Sequence, residues 1–516
     1  MSKRTLGSAT QRTLAISHHM SMSTQPKSSG STTPEEVSRE HTTASLSPHL
    51  SDLQPPVLFE SNGQVTKYIL NRPKKLNALD VSMLNILRPH VLSWSQSGLS
   101  KILVGTGVGR AFCAGGDVAG VVTAASRPET LPEAIDFFKR EFEVDYLLAT
   151  VPHPYVVVMD GITMGGGVGL SAHASFRIAT ENTVFAMPET KIGYSPDVGA
   201  TYFLSRMDGE IGTYLGLTGE SLKGRDIFEL GFATHYIPSR RVPALLERLA
   251  SLENPTYEMI DSTIEECSQE RDPDEPPASL IQTKRVAVDT AFSHNKVEDI
   301  ISSLKGIEQE HEAKDIRDWA SATLAALELR SPTSLKVALM AIRKGKTLPL
   351  LEALQMELNI ATAFCSGASS DFRTGVTAVL VEKTRGRPAW VPAALEDVKD
   401  SDVQKSFFKS YSPEAGTAPR LTNPLEGQSG GTARAYDPMH FALPTEQEIR
   451  QMVDGSHPTS GGTVITREEL LQQFEALRKG KMGVREKVLE VSQRCCVEDI
   501  DKITGEKWLR WKSPSL

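Results

Sequence analysis

Two glycine-rich stretches and two carboxylates give this chain its chemistry. The first stretch, Asp160-Gly161-Ile162-Thr163-Met164-Gly165-Gly166-Gly167-Val168-Gly169-Leu170, follows the β-branched run Val156-Val157-Val158 and continues into apolar residues. That is the pattern of a strand opening through bare backbone into a helix. The second, Gly105 to Gly116, follows the strand-like Lys101-Ile102-Leu103-Val104. Two such loops, each behind a strand, can converge two backbone N–H donors on one oxygen, and an oxyanion hole of this kind serves acyl transfer. The carboxylates follow at Met187-Pro188-Glu189-Thr190 and Ser195-Pro196-Asp197-Val198-Gly199. A Gly-rich turn with scattered acids is commonplace; the coincidence of two loops and two acids is not. The glycines do not form a G-x-G-x-x-G dinucleotide fingerprint in its required setting, and no G-x-x-x-x-G-K-[ST] phosphate loop is present. Cys113 lies in the second loop without an evident His partner, so it reads as a small packed residue rather than a nucleophile.

The elements that must position these groups alternate. Val57 to Glu60, a turn at Asn62-Gly63, and Val65 to Leu70 read as a β-hairpin. A helix behind an Asp80 cap, the strand from Lys101, an amphipathic helix over 131–149 and short strands at Phe176 to Thr180 and Val184 to Ala186 complete an α/β pattern. After about residue 240 the spacing becomes helical, at Val242 to Leu252, Leu280 to Leu304, His311 to Leu329, Ser334 to Lys344 and Leu350 to Phe364. Residues 399–443 lack periodicity and read as a linker. Beyond them Thr445-Glu446-Gln447-Glu448 and Thr466-Arg467-Glu468-Glu469 fit capping boxes. The segment Arg478 to Lys512 is net basic: a solvated helical face, or a docking surface for a partner or RNA.

With 516 residues and 39% hydrophobic content the chain can bury a sizeable core. No stretch approaches the roughly 18 uninterrupted apolar residues of a membrane span, and a net charge of -8 argues against general nucleic-acid binding. Five cysteines without C-x-x-C spacing indicate a reducing compartment. Residues 1–34 hold Lys3, Arg4, Arg12 and Lys27, many Ser and Thr, and no Asp or Glu, the composition of a mitochondrial targeting segment or of a plain disordered tail; 35–56 read as a disordered linker.

Asn71-Arg72-Pro73-Lys74-Lys75-Leu76-Asn77-Ala78-Leu79, Gly109 to Asp117, Gly161 to Gly169 and Pro188-Glu189, in this order, resemble the crotonase (enoyl-CoA hydratase/isomerase) superfamily. Met187-Pro188-Glu189-Thr190, Pro196-Asp197-Val198-Gly199, Ser370 to Val376 and Arg387-Pro388-Ala389-Trp390 are similar to its 3-hydroxyisobutyryl-CoA hydrolase branch. The resemblance spans roughly 57–395. It implies an α/β fold with a ββα spiral core, the catalytic part at 57–255 and a helical region at 256–398 completing it; the capping boxes beyond it make 444–516 a helical C-terminal extension. It also implies oxyanion-hole N–H groups at Gly116 and Gly166, catalytic Glu189 and Asp197, and Glu141 as a further substrate-site carboxylate beside Gly166, Glu189 and Asp197. Gly169 stands where a hydratase carries its second catalytic Glu, which disfavours hydration. Tyr194-Ser195 and Ala200-Thr201 depart from the branch pattern and bear on acyl selectivity. The expected activity is hydrolysis of 3-hydroxyisobutyryl-CoA in the mitochondrial matrix, in valine breakdown, with no metal or other cofactor, CoA arriving as part of the substrate. The alternatives are a structural component of the mitochondrial small ribosomal subunit, associating through the C-terminal extension, and an enoyl-CoA hydratase/isomerase.

Overall fold

The chain enters its folded body through a hairpin: β1 (Val57–Asn62) pairs antiparallel with β2 (Val65–Leu70) around Gly63, which takes a left-handed conformation at φ 54°. From there β3 to β8 alternate between two sheets. β3 (Ile102–Gly107), β5 (Tyr155–Met159), β7 (Phe176–Ala179) and β10 (His235–Tyr236) extend a six-stranded sheet in the order β1-β2-β3-β5-β7-β10. β4 (Ala111–Cys113), β6 (Ile162–Met164), β8 (Val184–Ala186) and β9 (Leu222–Lys223) form a four-stranded one. This is the ββα spiral expected from the sequence. The computed structural model describes residues 54–272, 274–408, 419–423, 437–461, 464–500, 505 and 507–512. The targeting segment at 1–34 and the linker up to residue 53 lie outside the described residues.

Side-chain alternation explains why β5 is apolar throughout. Val156 and Val158 face a layer with Val242, Leu245, Leu249, Ile260 and Ile264, whereas Tyr155, Val157 and Met159 face the main core between the sheets. Each such burial contributes on the order of 1.5–3 kcal/mol. The helix Leu131–Thr150, with Pro132 and Glu133 in its first turn, is buried along most of its length and carries Glu141 and Asp145 four residues apart on one face.

Several expectations are corrected. The helix read across Leu280 to Leu304 is two, Gln282–Phe292 and Val297–Glu310. Arg343 holds the break open, donating to the carbonyls of Phe292 and His294 and to Asn295 Oδ1. Residues 399–443 are not all linker: Asp400–Phe407 is a helix that buries Val403 and Phe407, and Phe441 stacks on Phe176 with ring centroids 4.7 Å apart. The helices Glu446–Val453 and Arg467–Leu477 open on the two expected capping boxes, and Val484–Cys495 follows, but the chain then turns into an antiparallel hairpin, β11 (Cys496–Ile500) with β12 (Lys507–Trp511), where helix was expected. Among the described residues no helix is long and apolar enough to cross a membrane.

Candidate active site

β4, β6 and β8 run parallel, and the segments leaving their carboxyl ends converge. After β4 the backbone leaves the Gly116 N–H open to the cavity. Ala114 N–H donates to Leu76 O, Leu79 N–H to Gly115 O, and Asp117 N–H to Leu79 O, so the segment Leu76–Leu79 occupies the groups on either side of Gly116. Among the described residues the Gly116 N–H has no backbone partner. Asn77, fully buried, anchors that segment by accepting from Arg72 N–H and donating to Val108 O and Ala111 O. After β6, Gly165 turns at φ 47° and Gly166 opens the helix Gly166–Ala172, so its N–H is one of the free donors of a helix start. A Cβ at Gly166 would run into Glu141 Oε1. After β8, Pro188 and the short helix Glu189–Ile192 set Glu189 opposite both glycines.

One cavity of ≈190 Å³ is lined by Gly116, Glu141, Gly166, Glu189, Tyr194 and Asp197, with Lys191, Val379 and Leu380 among its other lining residues. All five residues singled out from sequence therefore meet in one place. Tyr194, packed against Phe138, Phe364 and Phe372, donates its hydroxyl to Asp197 Oδ2 at 2.9 Å. Glu141 Oε1 and Glu189 Oε2 are buried without a hydrogen-bond partner among the described residues. Burial pushes the Glu189 carboxyl up to about 8, against a smaller opposing pull from Lys191. Glu141 is raised by burial and by the Glu189 charge, and Asp197 by burial and then by Glu141, Glu189 and Glu357. Such closely set carboxylates cannot all ionise at once, which keeps part of the set protonated at neutral pH. Cys113 is fully buried and its thiol is pushed up to about 12, in keeping with a packed rather than a reactive residue.

Two acids here escaped the sequence reading. Asp145 is wholly buried with both oxygens unpartnered, and it fills the space at Gly169: a Cβ there would lie 2.6 Å from Val198 Cβ and 2.7 and 2.9 Å from the Asp145 oxygens. Glu357, on the helix Leu350–Cys365, is also buried. The signals were present. Asp145 is four residues from Glu141 on an otherwise core-facing surface, and Glu357 interrupts the apolar stripe of Ala353, Leu354, Leu358 and Ala361.

The two-sheet spiral thus gathers Gly116, Gly166, Glu189 and Asp197 around one cavity beyond three strand ends. A family model described as Enoyl-CoA hydratase/isomerase matches residues 65–407, and the chain belongs to that family. Among relatives, 3-hydroxyisobutyryl-CoA hydrolase, mitochondrial, of Gallus gallus is 40% identical over 69% of this chain and 90% of its own length. Small ribosomal subunit protein mS47 of Neurospora crassa is 40% identical over 88% of each. Among solved structures, a carnitinyl-CoA dehydratase from Mycobacterium thermoresistibile superposes with a TM-score of 0.62 at 33% identity, covering 73% of this chain and all of that one.

Proposed function

We propose that this chain hydrolyses 3-hydroxyisobutyryl-CoA, and related β-hydroxyacyl-CoA thioesters, to the free acid and CoA in mitochondria, as part of valine breakdown. The observation that carries the reading is the packing at Gly169. Asp145 and Val198 take up the room that a second hydratase acid would need, while Glu189 and Asp197 share the cavity with the Gly116 and Gly166 N–H groups. The thioester carbonyl oxygen would accept from those two N–H groups, whose loss typically costs about 10²–10³ in rate per donor. Glu189, as carboxylate, takes a proton from water as the water oxygen bonds to the acyl carbon, and collapse of the tetrahedral intermediate breaks the C–S bond, the thiolate taking up that proton to leave as CoA; or Glu189 itself attacks the carbon, loss of CoA leaves the acyl group on Glu189 as a mixed anhydride, and water then cleaves the anhydride to the free acid and restores the carboxylate. Asp197, held by Tyr194, orients the substrate hydroxyl or the water. This chemistry calls on no metal or redox group. Thiol release from 3-hydroxyisobutyryl-CoA, lost in Glu189→Gln, is the expected result; a folded protein that releases no thiol, or that adds water to crotonyl-CoA faster than it cleaves thioester, sinks the reading.

A second role, in the mitochondrial small ribosomal subunit, is favoured by one observation. The Neurospora crassa match covers 88% of this 516-residue chain, which cannot fit within the first 407 residues, so the resemblance to mS47 runs into the C-terminal extension. The hydrolase of Gallus gallus matches 358 residues. Among the described residues of the extension, Arg467, Arg485, Lys507 and Arg510 pair with Glu498, Glu475, Glu498 and Asp499. Sedimentation of mitochondrial extract tests this role. Recovery with the small subunit supports it, and recovery in light fractions alone excludes stable membership.

A further inference from the structure

The turn that delivers Asp197 to the cavity is strained. Val198 adopts φ 57° and Gly199 φ 82°, so a β-branched residue sits in the left-handed region that such side chains avoid. Strain of this kind persists only where the surroundings over-determine it. Here Val198 is buried in the core and one carboxylate bonds the backbone that follows it. Glu357 Oε2 accepts from Gly199 N–H at 2.7 Å, and Oε1 accepts from Thr201 N–H at 2.9 Å and from the Thr201 hydroxyl at 2.6 Å. Glu357 itself does not line the cavity. We propose that Glu357 is a positioning residue for Asp197: its carboxylate, bridging Gly199 and Thr201, clamps the strained turn that aims the Asp197 side chain at the substrate. The inference rests on the hydrolase reading above and deepens it.

The clamp also carries charge. Asp197 is faced by Tyr194 from its own loop, by Glu141 and Asp145 from the helix Leu131–Thr150, by Glu189, and by Glu357, with neutral His173 beside Gly199. Burial pushes Glu357 itself up to about 7 against the pull of its Thr201 and Gly199 donors, and where it is ionised its charge raises both Asp197 and Glu189, so removing it moves their titration to lower pH. A residue that only filled space would not do this. The test measures thiol release from 3-hydroxyisobutyryl-CoA by the full chain and by Glu357→Gln, whose amide keeps the size but cannot accept from both N–H groups. The expected result is a kcat lower by about 10²-fold, the scale of an approximately 1 Å misplacement, with KM little changed and the rising limb of the pH profile shifted to lower pH. A folded variant with wild-type kcat and pH profile overturns the inference while leaving the hydrolase reading intact. A wild-type protein that releases no thiol overturns both. Should Glu357→Gln fail to fold, Thr201→Val, which removes only the hydroxyl bond, decides: a kcat lower by about threefold to tenfold supports the clamp, and an unchanged kcat overturns it.

Discussion

Buried charge is handled in opposite ways at the cavity and at the seam where the C-terminal extension meets the core. In the cavity Glu141, Glu189 and Asp197, with Asp145 behind them, lie together, and among the lining residues only Lys191, partly exposed, brings a positive charge. At the seam three cations are each paired with an acid. Lys481 Nζ lies 2.5 Å from Glu265 Oε1 and 2.8 Å from His235 Nε2, Lys487 is 2.7 Å from Asp208, and Arg285 is 2.9 Å from Glu446. The carboxyl groups respond accordingly. Burial would raise Asp208, but Lys487 and Arg285 more than offset it, and it ends below its ordinary value; the cavity acids all end above theirs. Matched charge holds the fold together. Unmatched charge costs stability and leaves proton acceptors and donors poised near neutral pH.

The contrast can be broken most forcefully at the seam. Lys481→Met leaves Glu265 and Asp261 beside a buried ring with no cation, and is expected to lower stability by about 3 kcal/mol in denaturant unfolding, with kcat unchanged at temperatures where the variant is folded. A variant that loses kcat while keeping its stability would reverse the roles assigned to the two regions. At the cavity, the Glu189 carboxylate is the reactive form and titrates at about 8. kcat/KM should therefore rise about tenfold per pH unit below that value and level off above it; a flat profile between about pH 6 and 9 contradicts this assignment.

The smallest effect concerns Asp145. Its folded-state pKa lies well above the unfolded value of about 3.9, because burial and then Glu141, Asp197 and Glu357 oppose its charge. Folding therefore takes up a proton, and stability present below about pH 4 is lost as pH rises toward the folded value. Asp145→Asn removes that dependence and should raise stability at pH 7.5 by about 1 kcal/mol, with a smaller gain at pH 5. An equal change at both pH values would show that Asp145 is ionised in the folded state.

Local rules carried much of this. The Asn62-Gly63 turn, the Asp80 cap and both capping boxes obey rules that act within a few residues, and each formed where the sequence placed it. The glycine loops, Glu189 and Asp197 were legible because close backbone approach and acid chemistry leave few substitutes. What escaped depends on partners remote in the chain. Arg343 breaks a continuous helical pattern from some 50 residues away, Glu357 gains its role only when Gly199 and Thr201 fold against it, and the hairpin strand Cys496–Ile500 is short and lacks strict alternation to announce it. The unfilled position at Gly169 was legible; that Asp145 and Val198 occupy its space was not.

Thioester hydrolysis by the unmatched acid of the cavity would run through Glu189. The most direct measurement is single-turnover thiol release from 3-hydroxyisobutyryl-CoA by the wild-type chain and by Glu189→Gln, with folding of both checked by thermal melting. A fall of about 10²–10⁴-fold in the variant, at wild-type or greater stability, is the predicted result. Equal rates in the two proteins would contradict it.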